Sequence, residues 1–387
     1  MPRPPRVAML LPGLGDVERG AERALLEVAT GLQERHGFAV ELFGRGPNFP
    51  PHLVGHAIPS ISRARFESFP RLPALRSECA YEEATFAAGL VASGRFRPSK
   101  FDIAVTCSYP YLNWMLSSLP RRRRPLRLFV TQNGDWMCRR TNAEFKAFGC
   151  DALVAINPEY HDRHAATWPT ALIPNGVDPS QFRFERRGDG CRHARPRRVL
   201  MVSALIESKR VESGLRAVAR IPNVELVVVG DGPLRDHLMR TAERLMPGRT
   251  QFKTAVPHEQ MAAEYAAADC FLHCSQVEPF GIVYLEAAAS GCPVVTHNGA
   301  TQRWILGDTA VLTDTADRDA LADAIRSAMQ PGTAAALSQS ARERVERSFS
   351  WESIVDRYAA FMQERLAAHM PAMSRRTAAA EAPLATC

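Results

Sequence analysis

The chain has 387 residues, 46% of them hydrophobic and 23% charged, with a formal charge of +7. About 150 residues per domain gives two domains, and the absence of an apolar run near the ~20 residues needed to cross a bilayer excludes a membrane-spanning class. Nine cysteines without a CxxC pair point to buried thiols in a reducing, cytoplasmic setting and not to a disulfide framework.

The first residues, MPRPPRVAMLLPGLG, carry basic side chains before an apolar run that is shorter than the ~7 to 15 residues of a signal-peptide core. They read as a first strand, Val7 to Leu11, entering a glycine loop, PGLGDVERG, with Gly13, Gly15 and Gly20. A helical pattern runs from Ala21 to about Arg35, and strands FAVELF, FDIAVTC from Phe101, LRLFVTQ from Leu126, ALVAI from Ala152 and ALIPN from Ala171 follow. Helix-compatible segments separate several of these strands, which is the alternation of a parallel α/β sheet.

Positive charge concentrates in RRRR, Arg121 to Arg124, and in RFERRGDGCRHARPRR, Arg183 to Arg198. As a loop and a linker, both are accounted for by solvation. Their functional reading is attraction to an anionic membrane surface, at the inner face of the membrane, where each Lys or Arg adds ~1 kcal/mol. Nucleic acid is not expected as a partner, because no binding motif accompanies the charge.

Residues 184–197 are therefore a linker between a first domain, 1–183, and a second, 198–349, where the rhythm restarts. Strand RVLMVS leads to a helix from about Val211 to Arg220, then VELVVVG, the turn GDGP and a helix from Leu234 to Leu245. QFKTAV, a helix near Glu259 to Ala268, strand CFLHC, a helix carrying Glu286 and strand PVVTH complete it. The order indicates two Rossmann-like halves. Although Cys270, His273 and Cys274 are close in sequence, a strand would turn His273 and Cys274 to opposite faces, so no metal site is expected there. With Ser350 as N-cap, Trp351, Ile354, Val355, Tyr358, Phe361, Met362 and Leu366 recur at helical spacing, predicting a helix over 350–368 with one apolar face. The remainder, 370–387, is expected to be unstructured.

The segment Glu278-Pro-Phe-Gly-Ile-Val-Tyr-Leu-Glu286 sets two carboxylates around a Pro-Phe-Gly turn in otherwise apolar sequence. Pro279 keeps Glu278 extended, so a helix beginning at Pro279 and Phe280 is expected to stop near Gly291, before Pro293. The amides of Phe280, Gly281, Ile282 and Val283 would then be the open donors of a helix N-terminus at the carboxyl end of the strands, suited to phosphate. An acid repels a phosphate, so Glu278 and Glu286 are better matched to hydroxyls of the same ligand, a ribose on one side and a sugar on the other. Lysine occurs only at Lys100, Lys146, Lys209 and Lys253, and Lys209, in the loop after the first strand of the second half, offers a point charge for a diphosphate.

EPFGIVYLEAAASGCPVV resembles the signature of the family 4 retaining glycosyltransferases, as do IPNGVD at Ile173 to Asp178, VVVGDGP at Val227 to Pro233, the opening PGLG, and GAER at Gly20 to Arg23. The resemblance implies a GT-B fold: two Rossmann-like domains across a cleft, with the last helix returning to the first. It implies a nucleotide-diphosphate sugar as co-substrate, a UDP-sugar first and GDP-mannose next, with no required metal or cofactor. The acceptor would be a saccharide, a lipid-linked molecule or a small molecule. On this resemblance Glu286 holds the ribose, and Glu278, Pro279 and the following amides hold the sugar and its phosphate. Lys209 holds the diphosphate, Gly232 belongs to the donor side, and the Gly13 to Gly20 loop faces the donor phosphate and acceptor. Two positions depart from the family. Ser203-Ala204 stands where a Gly-Arg pair usually places its arginine on the diphosphate, and Gln132 or Asn133 stands where many relatives carry a histidine.

Other readings fit less well. Gly13 and Gly15 match the start of GxGxxG, but Glu18 replaces its third glycine, against a nicotinamide-dependent oxidoreductase. A glycoside hydrolase needs two acids astride a glycosidic bond, whereas helix-end amides favour phosphate. A binding-only protein would lack the donor-holding residues. A nucleotide-sugar epimerase or hydrolase on a related scaffold is the remaining alternative.

Overall fold

The computed structural model describes residues 3–17, 19–63, 65, 72, 75, 77–107, 109–132, 134, 145–184, 196–254 and 256–380, with side chains through 369. It divides into two compact units, Met1–Pro174 with Trp351–Cys387, and Asn175–Ser350.

The first unit contains β1 (Arg6–Leu10), α1 (Gly20–His36), β2 (Ala39–Gly44), β3 (Val54–Ala57), α2 (Glu78–Ser93), β4 (Ile103–Cys107), α3 (Tyr111–Ser118), β5 (Leu126–Val130), β6 (Ala152–Ala155), α4 (Pro158–His164) and β7 (Thr170–Leu172). The strands form one seven-stranded parallel sheet in the order β3-β2-β1-β4-β5-β6-β7. Its inner strands β4 and β5 are buried throughout and mostly apolar, because helices cover a parallel sheet on each side; the buried Arg127 of β5 is paired with Asp151 at 2.9 Å. β3, absent from the strands expected above, is an edge strand whose half-exposed VGHA carries little periodic signal.

The second unit contains β8 (Arg197–Val202), α5 (Val211–Val218), β9 (Val224–Val229), α6 (Arg235–Leu245), β10 (Thr250–Lys253), α7 (His258–Ala267), β11 (Cys270–His273), α8 (Ile282–Ala289), β12 (Val294–His297), α9 (Ala300–Leu306), β13 (Val311–Thr313), α10 (Arg318–Ala328) and α11 (Pro331–Ser348). Its parallel sheet runs β10-β9-β8-β11-β12-β13. Val199, Met201, Leu226, Val228 and Leu272 from the sheet pack with Leu215, Val218, Leu321 and Ile325 from the helices, forming the core on one face.

The division falls earlier than expected, after Pro174 and not at Arg183. The reason is packing: Phe182 is buried edge-on to Tyr265 and His258, and Arg342 donates to the carbonyls of Pro179 and Phe182 at 3.0 Å, tying this segment to the second unit. Most of the expected linker, 185–195, lies outside the described residues.

The last helix, α12 (Trp351–Ala380), belongs to the first unit. It runs past the expected stop at 368, through Pro371 and into the tail predicted to be unstructured. Ile354, Val355, Tyr358, Ala359 and Met362 are buried, α12 packs on α1, and His36 Nε2 lies 2.8 Å from Asp356 Oδ1. Gly31, within α1, permits this approach, since a Cβ there would lie 2.6 Å from Val355 Cγ2. Replacing a helical glycine gains up to ~1 kcal/mol in helix propensity, but overpacking a tight contact costs ~1 to 3 kcal/mol. Gly31→Leu is therefore expected to destabilise the first unit, as a lower urea midpoint for its unfolding; an unchanged midpoint would mean that α12 yields without cost.

Candidate functional site

In the second sheet the strand order turns at β8 and β11, so the loops following them diverge at the switch point where open α/β sheets bind ligands. These two loops carry Lys209 and Glu278.

The loop after β8 is held by the turn after β9. Leu205 N donates to the Asp231 carbonyl at 2.8 Å, and Leu234 N to the Leu205 carbonyl at 3.1 Å. A Cβ at Gly230 would lie 1.9 Å from the Ser203 carbonyl oxygen, and one at Gly232 would lie 2.6 Å from that of Leu205; both glycines have positive φ, 144° and 156°. Gly232 thus makes room for the neighbouring backbone. The loop ends in a single 3-10 turn, Glu207–Lys209, from which Lys209 Nζ donates to Glu278 Oε2 at 2.5 Å. The following residue, Arg210, has a left-handed backbone, φ 52° and ψ 37°.

The loop after β11 departs from expectation at the helix start. Phe280 is buried against Trp304 and Phe349 (centroids 6.2 and 6.3 Å), and Gly281 takes φ 87°. A left-handed residue interrupts a right-handed helix, so α8 begins at Ile282, not at Pro279 or Phe280. The helix-end donors are correspondingly Ile282 and Val283, both half-exposed, while Tyr284 N donates to the Gly281 carbonyl at 3.1 Å. Pro279 and the Phe280 amide lie outside the helix.

Behind Glu278 is a buried polar chain that the sequence did not reveal. His273, the last residue of β11, has Nε2 3.9 Å from Glu278 Oε2 and Nδ1 3.0 Å from the Tyr284 hydroxyl. Thr296 Oγ1 donates to the His273 carbonyl at 2.9 Å and lies 3.2 Å from the Tyr284 hydroxyl. Burial lowers the His273 pKa to about 4, with Glu278 opposing the shift and Lys209 reinforcing it. Burial pushes the Tyr284 hydroxyl upward, and Glu278 adds to that rise. The ring is therefore neutral, with Nδ1 hydrogen-bonded to the Tyr284 hydroxyl and Nε2 facing Glu278. The strand assignment correctly set His273 apart from Cys274; the missed signal was a histidine ending an apolar strand at the carboxyl edge of the sheet.

This depressed pKa gives a pH dependence. Below about 6.5 the unfolded His273 binds a proton that the folded ring does not, so folding stability is present above 6.5 and declines as pH falls toward 4. His273→Asn is expected to show a shallower decline than the parent chain between those limits in thermal melts. Parallel curves would place the titration elsewhere.

Glu286 occupies a separate setting. Only 7% exposed, it accepts from the Tyr265 hydroxyl at Oε2 (2.8 Å), and His258 Nδ1 lies 3.7 Å from Oε1. Tyr265 and His258 both come from α7, and Phe182 packs edge-on to each. A buried carboxylate on α8 with one oxygen beside a neutral hydroxyl donor retains acceptor capacity for a ligand hydroxyl.

In the first unit, Gln132 is buried just past β5, while Asn133 lies outside the described residues. The glycine loop is engaged internally: a Cβ at Gly13 would lie 2.0 Å from Glu22 Oε1, and one at Gly15, φ 73°, would lie 2.8 Å from the Gly46 carbonyl oxygen. Gly20 begins α1. Glu22 is buried, its Oε2 has no hydrogen-bond partner, and burial raises its pKa against the pull of Arg19. Nearby Glu82 is bound by Arg45 at 2.8 Å and Arg63 at 2.6 Å. The sequence signal for Glu22 was GAER, whose acid received no role of its own above.

Residues 185–344 match the family of glycosyl transferases group 1. A GDP-mannose-dependent alpha-(1-6)-phosphatidylinositol monomannoside mannosyltransferase from Mycolicibacterium smegmatis is 30% identical over 285 residues, covering 65% of this chain and 74% of that protein. The chain belongs to the group 1 glycosyltransferases. A glycogen synthase from Mycobacterium tuberculosis is 32% identical over 217 residues, covering 53% of this chain and 52% of that enzyme, so the chain spans about half the length of this relative. Among solved structures, sucrose-phosphate synthase from Thermosynechococcus elongatus superposes with a TM-score of 0.75 at 22% identity, covering 94% of this chain and all of that one (100%). Anabaena HepE in complex with UDP and glucose superposes at 0.71 with 17% identity, covering 93% and 99%.

These likenesses identify the fold of this glycosyltransferase-family chain as GT-B. The family match covers Lys209, Gly232, Glu278 and Glu286, all in the second unit. Among the described residues, no group of three or more His, Cys, Asp or Glu is placed to hold a metal ion, and no helix is long and apolar enough to cross a membrane.

Proposed function

We propose that the chain is a retaining glycosyltransferase, moving a hexosyl unit from a nucleoside-diphosphate sugar to a saccharide, lipid-linked or small-molecule acceptor without a metal. The observation that carries this reading is the Lys209–Glu278 pair at the β8/β11 switch point, next to the half-exposed first turn of α8. An ammonium and helix-end amides suit a diphosphate, and carboxylates suit the hydroxyls on either side of it. A UDP-sugar and GDP-mannose are the donors to compare, in keeping with the ligands and names of HepE and the mannosyltransferase.

Glu278 and Glu286 both serve the donor in this reading. Transfer then takes place on the face the diphosphate leaves. The acceptor oxygen bonds to the anomeric carbon, the bond from that carbon to the phosphate oxygen breaks with its electron pair going to the diphosphate, and the diphosphate takes the acceptor's proton. Lys209 and the amides of Ile282 and Val283 stabilise the charge on the leaving group. Arg121 to Arg124 and the residues 183–198 would draw the enzyme to an anionic membrane surface in the cytoplasm.

The test is release of UDP or GDP from a panel of nucleotide-sugars with and without acceptors, with the product anomer read by NMR and EDTA as a metal control. Acceptor-dependent release, retained configuration and indifference to EDTA are expected. Release without acceptor would favour a hydrolase; an inverted anomer would overturn the front-face mechanism.

A further inference from the structure

Lys209 is already neutralised by Glu278, so the pair brings no net positive charge to meet a diphosphate. Ala204, which is exposed, brings no charge to the loop after β8. The second loop therefore needs another cation to hold a diphosphate, and the chain supplies one immediately after Lys209.

Arg210 is one of two non-glycine residues with positive φ among those described, the other being Asn223. Asparagine tolerates the left-handed region through its short polar side chain, whereas arginine has no such excuse. A left-handed residue off glycine costs on the order of a rotamer violation or more and persists where the surroundings impose it, as at ligand-binding loops. Its side chain turns to the loop carrying Glu278: Nη1 donates to Gln276 Oε1 at 3.3 Å, a long bond two residues from Glu278. Its Nε is buried without a hydrogen-bond partner. A buried guanidinium nitrogen left unpaired is costly, and a fork held by one long bond to a neutral amide can turn to a stronger acceptor. The loop itself is fixed, with Ser275 Oγ donating to the Ser208 carbonyl at 3.4 Å and Gln302 Nε2 to the Ser275 carbonyl at 3.3 Å.

We propose that Arg210 is the second diphosphate-binding cation of this enzyme, acting beside Lys209. This rests on the donor reading above. When a diphosphate lies beside Lys209, the guanidinium releases Gln276 and engages the anion with two parallel N–H groups, the pairing for which arginine is suited and lysine is not. Gln276 is then free to hydrogen-bond the donor.

Calorimetric titration with UDP, UMP, GDP and GMP tests this. Wild type should bind the diphosphate of its preferred base more tightly than the monophosphate. Arg210→Gln should weaken that diphosphate by ~10-fold or more and change the monophosphate by less than ~2-fold. Arg210→Gly removes the guanidinium and relieves the left-handed backbone, so it should show the same selective loss with an equal or higher melting temperature. A merely structural arginine would not separate diphosphate from monophosphate. Diphosphate affinity unchanged in both variants would overturn the role of Arg210 while leaving the donor reading intact. Wild type that binds none of the four nucleotides would overturn the donor reading and this proposal with it.

Discussion

Lys209→Ala is expected to lower the rate of sugar transfer by ~10²- to 10³-fold, the effect of removing one preorganised group from a charge that develops in the transition state. In the proposed transfer the leaving diphosphate gains negative charge as its bond to the sugar breaks, and Lys209 Nζ, 2.5 Å from Glu278 Oε2, is the ammonium proposed to meet it. The substitution has a second consequence: Glu278, whose side chain is only 10% exposed, loses its cation, and an unpaired buried charge costs ~3 to 5 kcal/mol. A double variant, Lys209→Ala with Glu278→Gln, separates the two. If the rate falls because the diphosphate lost its cation, the double variant remains slow; if it falls because a stranded carboxylate distorted the loop, the double variant recovers. Steady-state kinetics with saturating donor reads the difference in kcat.

Glu286→Ala is expected to weaken nucleoside-diphosphate binding by ~10- to 150-fold, because a buried ribose diol left without its charged acceptor forfeits ~1.5 to 3 kcal/mol. Here the structure supplies the control. Glu286 also accepts from the fully buried Tyr265 hydroxyl at 2.8 Å, so its removal takes away that bond and is expected to lower stability as well as affinity. Tyr265→Phe removes that hydroxyl while leaving the carboxylate in place, and it should alter melting temperature more than nucleotide affinity. Titration calorimetry with UDP and GDP measures both variants. Unchanged affinity in Glu286→Ala would mean that the carboxylate serves only to join α8 to α7.

Much of this was legible in the amino-acid order because its physics is local. Alternating apolar runs and amphipathic stretches announced two parallel sheets, since strands covered on both faces must be apolar throughout. The turn from Glu278 to Gly281 was legible because proline and glycine in that order constrain a few adjacent residues. Lys209 stood out by chemistry alone, as a rare lysine at the correct end of a strand. What sequence could not supply were the facts that depend on packing across the fold. That α8 starts at Ile282 follows from Phe280 being buried by Trp304 and Phe349, residues far along the chain. The division after Pro174 follows from Phe182 finding Tyr265.

The site shows the same division. Sequence determined which ionisable residues lie in the loops of the second sheet, and so the class of ligand they suit. Only the tertiary structure decided their partners: that Lys209 meets Glu278, that Tyr265 meets Glu286, that His273 and Tyr284 stand behind Glu278, and that Arg210 is left-handed with an unpaired nitrogen. Lys209 and Glu278 are 69 residues apart in sequence and meet because β8 and β11 are neighbours in a sheet whose order is not the chain order. Strand adjacency is set by the burial of whole sheet faces, a sum over many side chains, and no single motif carries it.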